Sequence, residues 1–211
     1  MSFQMILGAA LIALYVIFLT WYSQRGCKLT GAEIDHYLSI IEKLPSPAKD
    51  IKAVNTRIRA WAEADDGKPV YMFNLIHFFS QLRTFPGAPD FKGTPEEANA
   101  HYEKAIRWLW LSHAAYPIFV GAAQGRNLIN MQPEREWERL AVIRYPNRRT
   151  FFKLLSDLGY APMEPYKFMA LEIDLVPVSG DLVIPDLRWV VGGGFVILFL
   201  LVGWIQAAVI S

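Results

Sequence analysis

The chain has 211 residues, 53% of them hydrophobic, and its 21 Lys and Arg against 20 Asp and Glu give a formal net charge of +1. Every one of those charges lies between Arg25 and Arg188, so an interior of ordinary soluble-domain composition is bracketed by two uncharged hydrophobic ends. This distribution argues against a polytopic channel, a disordered chain and, with Cys27 as the sole cysteine, a secreted disulfide scaffold.

Residues 1–24 are expected to hold a first membrane helix. From Phe3 to Tyr22 only Gln4 and Thr20 are clearly polar, a run long enough to cross a hydrocarbon core of ~30 Å at ~1.5 Å per residue. Trp21 and Tyr22 stand at its charged boundary, as interfacial aromatics do. A cleaved signal peptide is the competing reading, but there is no basic leader before the run and no small-x-small site after it.

The segment 28–64 reads as a helical linker or collar. Thr30 and Glu33 have the spacing of a capping box, followed by Ile34, Tyr37, Leu38 and Ile41 on one face. A second helix is expected from about Ser46-Pro47, with Ile51, Val54, Ile58 and Trp61 as its stripe, ending in the Asp65-Asp66-Gly67 turn.

Residues 65–180 read as one α+β domain. Val70 to Phe78 is a strand apolar on both faces. Thr94, Pro95 and Glu97 start a helix that runs to about Leu111. Strands are expected at Pro117 to Gln124 and Trp137 to Tyr145, joined by a loop around Pro133. Pro146-Asn147 then stops the strand and caps a helix bearing Phe151, Phe152, Leu154 and Leu155, and Leu171 to Val178 is the last strand. Strand, helix, strand, strand, helix, strand is the order of a ferredoxin-like βαββαβ unit. Its sheet has helices on one face only, so the doubly apolar first strand calls for a second cover, most simply another copy of the same sheet.

Residues 187–211 repeat the membrane-helix pattern, with Trp189 at the boundary and Gln206 the only strongly polar side chain from Trp189 to Ile210. Neither end segment carries a His or an ionisable residue between Phe3 and Tyr22 or between Trp189 and Ile210, so neither offers a haem ligand or a proton relay there. Arg25, Lys28 and Arg188 flank the interior side of the two runs and neither outer tail is basic. By the positive-inside rule residues 23–188 are expected in the cytoplasm, with both termini across a membrane of the bacterial inner-membrane kind. Two anchors exceed what tethering needs, which points to packing against other membrane helices, the chain's own copy or a partner's.

Several stretches resemble a known family. Asp65-Asp-Gly-Lys-Pro-Val-Tyr-Met-Phe-Asn-Leu-Ile-His-Phe, Phe119-Val-Gly, Trp137 with Ala141-Val-Ile-Arg-Tyr-Pro-Asn-Arg-Arg-Thr-Phe-Phe, and Met169-Ala-Leu-Glu are similar to small domains of uncharacterised function in the dimeric α/β-barrel superfamily. The resemblance spans about Ala62 to Val178. It implies a ferredoxin-like fold and a homodimer whose two sheets close a barrel. That superfamily also holds cofactor-independent monooxygenases and haem-handling enzymes, so fold alone licenses no reaction.

Five residues are candidate ligand contacts: Asn74, His77, His113, Arg144 and Tyr145. Asn74 is a polar side chain in phase with Val70, Met72 and Ile76, and needs a hydrogen-bond partner or a ligand if buried. His77 falls on the opposite face near the strand end, where a partly exposed histidine needs no function. His113 aligns with Tyr102, Ile106 and Leu109 and can face the core. Arg144 is in phase with Leu140 and Val142, where a salt bridge at a sheet edge or dimer interface explains it equally well. Glu97 and His101, four residues apart, supply at most two metal ligands, so no metal is expected. Arg148 and Arg149 oppose the helix dipole and need phosphate, an acidic partner or nearby Asp/Glu.

There is no phosphate loop, dinucleotide fingerprint or nucleophile elbow, and no cofactor or nucleic acid is expected. The function expected is that of an accessory or scaffolding subunit in a larger membrane assembly. The alternative is a membrane-tethered enzyme or binding protein, monooxygenase-like or for a haem- or quinone-type ligand, using the barrel interior around Asn74, His77, His113 and Tyr145.

Overall fold

The computed structural model describes residues 3–24, 26, 28–45, 50–125, 128–129, 136–180 and 185–210. Arg25, Cys27, the Ser46-Pro47 helix start and the loop around Pro133 lie outside the described residues. The chain divides into two compact units, one of residues 1–24 with 180–211 and one of residues 25–179.

The first unit consists of α1 (Phe3–Ser23) and a long C-terminal helix, Leu187–Ile210, which becomes α7 in chain order. Both are long and apolar enough to cross a membrane. Leu11 and Tyr22 are the buried residues of α1, and most other apolar side chains of both helices are exposed, unlike those of a core helix in a soluble protein. The two helices pack on each other. A Cβ on Gly8 would lie 3.3 Å from the Phe199 ring, and one on Gly192 would lie 3.0 Å from the Tyr15 hydroxyl. Tyr15 also meets Phe195 edge-on, and its hydroxyl donates to the Arg188 carbonyl at 3.0 Å. The partner each apolar helix needs is thus supplied, on one side, by the other.

The second unit is mixed α+β. Its elements are α2 (Gly31–Ile41), α3 (Ile51–Glu63), β1 (Val70–Phe78), α4 (Pro95–Ser112), β2 (Tyr116–Ala122), β3 (Arg139–Tyr145), α5 (Arg148–Leu155), α6 (Glu164–Ala170) and β4 (Leu171–Val178). Both capping boxes form: Thr30 and Thr94 accept from the N3 amides, and Glu33 and Glu97 reach back. Within the described residues α3 runs from Ile51, capped by Asp50, whose carboxylate accepts from the Ala53 amide. β2 runs from Tyr116 to Ala122 rather than Pro117 to Gln124, and β3 begins at Arg139 rather than Trp137.

The four strands form one antiparallel sheet in the order β2-β3-β1-β4, with the first strand central. Directly paired residues share a face. One face presents Val70, Met72 and Ile76 with Ala141, Ile143 and Tyr145, and this is the face the helices cover. Val70, Met72, Ala141, Ile143 and Tyr145 join Tyr102 and Ile106 of α4 and Phe151, Phe152 and Leu154 of α5 in the main core. Ile76 joins Ala98, Met169, Ala170 and Leu171 in a second cluster.

α2 and α3, read from the sequence as a linker or collar, pack into the core of this domain. Ile34, Tyr37, Leu38 and Ala62 belong to the same core, where Tyr37 stacks on Phe152 with ring centroids 5.6 Å apart. Polar contacts secure the join. The buried Asp65 carboxylate accepts from the amides of Leu29 and Gly67, Gly67 taking a positive φ of 72° to close the turn. Arg149 pairs with Glu33, and Arg148 donates to the Trp61 carbonyl, which accounts for both arginines through nearby acids and carbonyls.

Candidate functional site: the open sheet face and the cleft beneath α4

The second sheet face carries no helix of the core clusters. Across its middle, Phe119, Val142, Phe73 and Val176 lie in one cross-strand row, the first brought into line by a bulge between Pro117 and Phe119. Phe119 is 55% exposed and Val176 43%. The next row is Tyr116, Arg144, Tyr71 and Val178, with Arg144 buried and its guanidinium 5.6 Å from the Tyr116 ring centroid. The Tyr116 ring offsets part of the loss of water around the Arg144 charge. The middle of this face is an apolar band with Arg144 in the row beside it, while Asp174 and Glu172, paired with Leu75 and His77, make its far end polar.

Beneath α4 on the other face is a cleft of about 360 Å³. Pro117, Val120, Ala141 and Ile143 form its sheet wall, and Trp110 and Leu111 face them from the helix. Glu103 and Arg107 from α4 and Arg139 from β3 supply its polar groups. Glu103 and Arg139 are paired at 3.0 and 3.2 Å, and Asn99 donates to the same carboxylate at 2.9 Å. The volume is at the small end of the range of ligand clefts, and an apolar wall with a few charged groups is their usual make-up.

The five candidate residues fall in different places. Asn74 is on the helix-covered face, half-buried, and its amide donates to the Met72 and Ala141 carbonyls at 2.9 and 3.2 Å. His77 is on the open face, 3.8 Å from Glu138 and half-exposed, about six strand residues or ~20 Å along from the Arg144 row at ~3.3 Å per residue. His113 caps α4 and its Nε2 lies 3.2 Å from Asp157. That carboxyl is held below its ordinary range, chiefly by the Gly159 amide and further by the histidine. Tyr145 is in the main core, hydrogen-bonded to the Trp110 indole, and burial pushes its phenol up. None of the five lines the cleft, and the structure does not gather them into one cavity. Among the described residues no cluster of three or more His, Cys, Asp or Glu could hold a metal ion.

A third polar feature escaped the sequence. Glu164, 7% exposed, opens α6; Tyr160 donates to its Oε1 at 3.4 Å, and its Oε2 is buried with no hydrogen-bond partner. The only local signal was Glu164 and Lys167 one helical turn apart in an otherwise apolar stretch. Tyr102 packs edge-on against Tyr160, and the Lys167 ammonium lies 5.7 Å from the Tyr102 ring centroid.

No family model matches the chain, and no curated protein matches it. Among solved structures, a protein of unknown function from Rhodopseudomonas palustris is similar, at 20% identity over 64% of this chain and 95% of that one, with a TM-score of 0.52. Its methylated form matches at 22% identity over 67% and 96%, with a TM-score of 0.53. The likeness shows a shared fold. SnoaB, a cofactor-independent oxygenase from Streptomyces nogalater, overlaps at 9% identity over 56% of this chain and 99% of that one with a TM-score of 0.36, too slight to carry an argument.

Proposed function

We propose that this chain is an accessory or scaffolding subunit held in a membrane by α1 and α7, whose domain is of the ferredoxin-like, dimeric α/β-barrel type and docks through its open sheet face. The barrel reading is supported by the strand order with β1 and β3 central, by the all-antiparallel pairing and by helices on one face. The α2–α3 pair and α6 are additions to that plan. The observation that carries the functional reading is the apolar row Phe119, Val142, Phe73 and Val176, whose two ends Phe119 and Val176 are exposed, on a sheet face that no helix among the described residues covers. A surface of that kind in water marks a docking site, and a second copy of the same sheet is self-complementary to it. The docked assembly, two copies or a larger membrane complex, sits on the cytoplasmic side of a bacterial inner membrane, the side favoured by Lys28 and Arg188.

The test is the native mass of the full chain extracted in mild detergent, with and without Val176→Lys. A dimer, or a stoichiometric complex with another membrane protein, that the substitution dissociates supports the reading. A wild-type chain that is a lone monomer with nothing bound overturns it.

A second reading rests on the cleft beneath α4. There the protein is a tethered binder or enzyme for a small, largely apolar ligand, held against Trp110 with a polar end toward Arg107 and Arg139. Quenching of Trp110 fluorescence by a quinone or haem analogue, lost in Val120→Trp, would favour it over the docking role.

A further inference from the structure

We propose that Glu164 is a proton switch built into the α4–α6 seat: neutral, it completes that seat, and ionised, it loosens it. The claim goes beyond the docking and cleft readings and depends on neither.

The geometry is unusual for a carboxylate. Among the described residues only Oε1 has a donor, the Tyr160 hydroxyl, at a long 3.4 Å, while Oε2 is buried without a hydrogen-bond partner. A neutral carboxyl group fits such a place, since a buried charge with one weak hydrogen bond is strongly penalised. Of the groups around it, Lys167 is the cation, and its pull only partly offsets the cost of burial. From its own helix comes Lys167, half-buried, whose ammonium is shared with Glu103 and lies over the Tyr102 ring. From α4 comes Tyr102, with Glu103 acting on Lys167 and itself paired with Arg139, and from the turn before α6 comes Tyr160, on which Tyr145 of β3 acts in turn. The three phenols are themselves pushed up by burial and stay neutral. Burial likewise pushes the Glu164 carboxyl up to about 7, against the pull of Lys167 and Tyr160.

α6 is the element such a charge would release. It has seven residues, no side-chain N-cap, and a glutamate at its first position. Its C-terminal end is tied to the segment after β1 by the Phe79 and Arg83 amides, which donate to the Ala170 and Met169 carbonyls, and Tyr166 packs on His101 of α4 and on Phe91, so the Glu164 end is the less fastened one. When α6 lifts, Glu164 regains water and its ordinary acidity. Opening is therefore linked to proton loss, and between pH 6 and pH 8 the opening equilibrium is expected to rise about tenfold.

The experiment is hydrogen–deuterium exchange of the full chain in nanodiscs at pH 6 and pH 8, read on peptides spanning 160–171 and corrected for the intrinsic exchange rate. Wild type is expected to open about tenfold more at pH 8. Glu164→Gln is expected to keep the pH 6 protection at both values, and Tyr160→Phe, which removes the one donor, to stay closed to a higher pH than wild type. Equal protection of wild type at both values, or a pH response that survives in Glu164→Gln, overturns the proposal. If Glu164→Gln does not fold, infrared spectra of wild type labelled with ¹³C-glutamate decide. A protonated glutamate carboxyl band present at pH 6 and lost by pH 8 supports the switch, and its absence at pH 6 overturns it.

Discussion

The Glu33 carboxylate takes two hydrogen bonds from Arg149, at 2.9 and 3.0 Å, while still accepting the Thr30 amide that closes its capping box. One side chain thus starts α2 and fastens it to the start of α5, 116 residues later in the chain. Arg149, together with the Thr30 amide, holds the Glu33 carboxyl down to about 2. An acid whose folded value is lowered stabilises the fold above its unfolded value, near 4.5, and that contribution is lost as pH falls from there toward 2. Urea midpoints measured from pH 6 to pH 2.5 should fall more steeply for wild type than for Glu33→Gln. At pH 6 the substitution should cost about 1 kcal/mol, a figure kept small because both side chains are partly solvated.

Phe152 is the hub between the N-terminal helices and the sheet domain. It is 1% exposed, stacked on Tyr37 and tilted against Trp61 at 5.7 Å. Phe152→Ala should destabilise by about 3–5 kcal/mol. A chain from which residues 28–64 are deleted should lose resistance to proteolysis throughout the sheet domain. Survival of a protected 65–180 fragment would show that α2 and α3 are dispensable.

Asn147 caps α5 from a buried position, its side-chain oxygen accepting both the amide and the hydroxyl of Thr150 at 2.9 Å. Asn147→Ala should lower stability by about 1–2 kcal/mol. Asn147→Asp, which keeps the acceptor and sets a negative charge beside Arg148 and Arg149, should retain most of it. Thermal denaturation of the two variants side by side makes the comparison.

The three consecutive glycines of α7 should respond differently to a methyl group. A Cβ at Gly192 would lie 3.0 and 3.1 Å from the Tyr15 hydroxyl and ring, whereas one at Gly193 or Gly194 meets nothing within 4 Å. Gly192→Ala should loosen the α1–α7 pair, and Gly193→Ala should leave it intact or stiffen α7. Cysteines at Gln4 and Gly203, where the Gln4 side-chain amide reaches to 3.4 Å from a Cβ built on Gly203, in a chain carrying Cys27→Ser, report this as the rate of disulfide trapping. Slower trapping is expected only for Gly192→Ala.

Much of the fold was readable because its signals are local. β1 and β4 run as the alternation and the proline and glycine boundaries dictate, and the two capping boxes announce α2 and α4. α6 was not readable. It is a seven-residue helix too short to show periodicity, and its one start signal, Glu164-Pro165 in the first turn, comes without a capping side chain at Met163. The partners of Arg148 and Arg149 were unreadable for a different reason, since Asp65, Trp61 and Glu33 are brought there by tertiary packing. The same holds for Glu164, whose surroundings come from α4, β3 and the turn at Tyr160. Asn74, singled out as a polar intruder on an apolar strand, has two backbone carbonyls for its amide.

The central position of β1 has a consequence for synthesis. It is the first strand made, yet its neighbours are β3 and β4, and the ladder from Tyr71 to Phe78 closes only against Leu171 to Val178. A nascent chain must hold this doubly apolar segment unpaired until β3 is made, and one of its edges open until nearly the whole domain has been translated. By then α1 has long since emerged and α7, starting at Leu187, is next in line. Sheet closure and delivery of the second apolar helix therefore fall close together in time. Slowed translation just after Val178 should favour the folded product, and a chaperone that binds exposed strands should meet this chain early at Val70–Phe78.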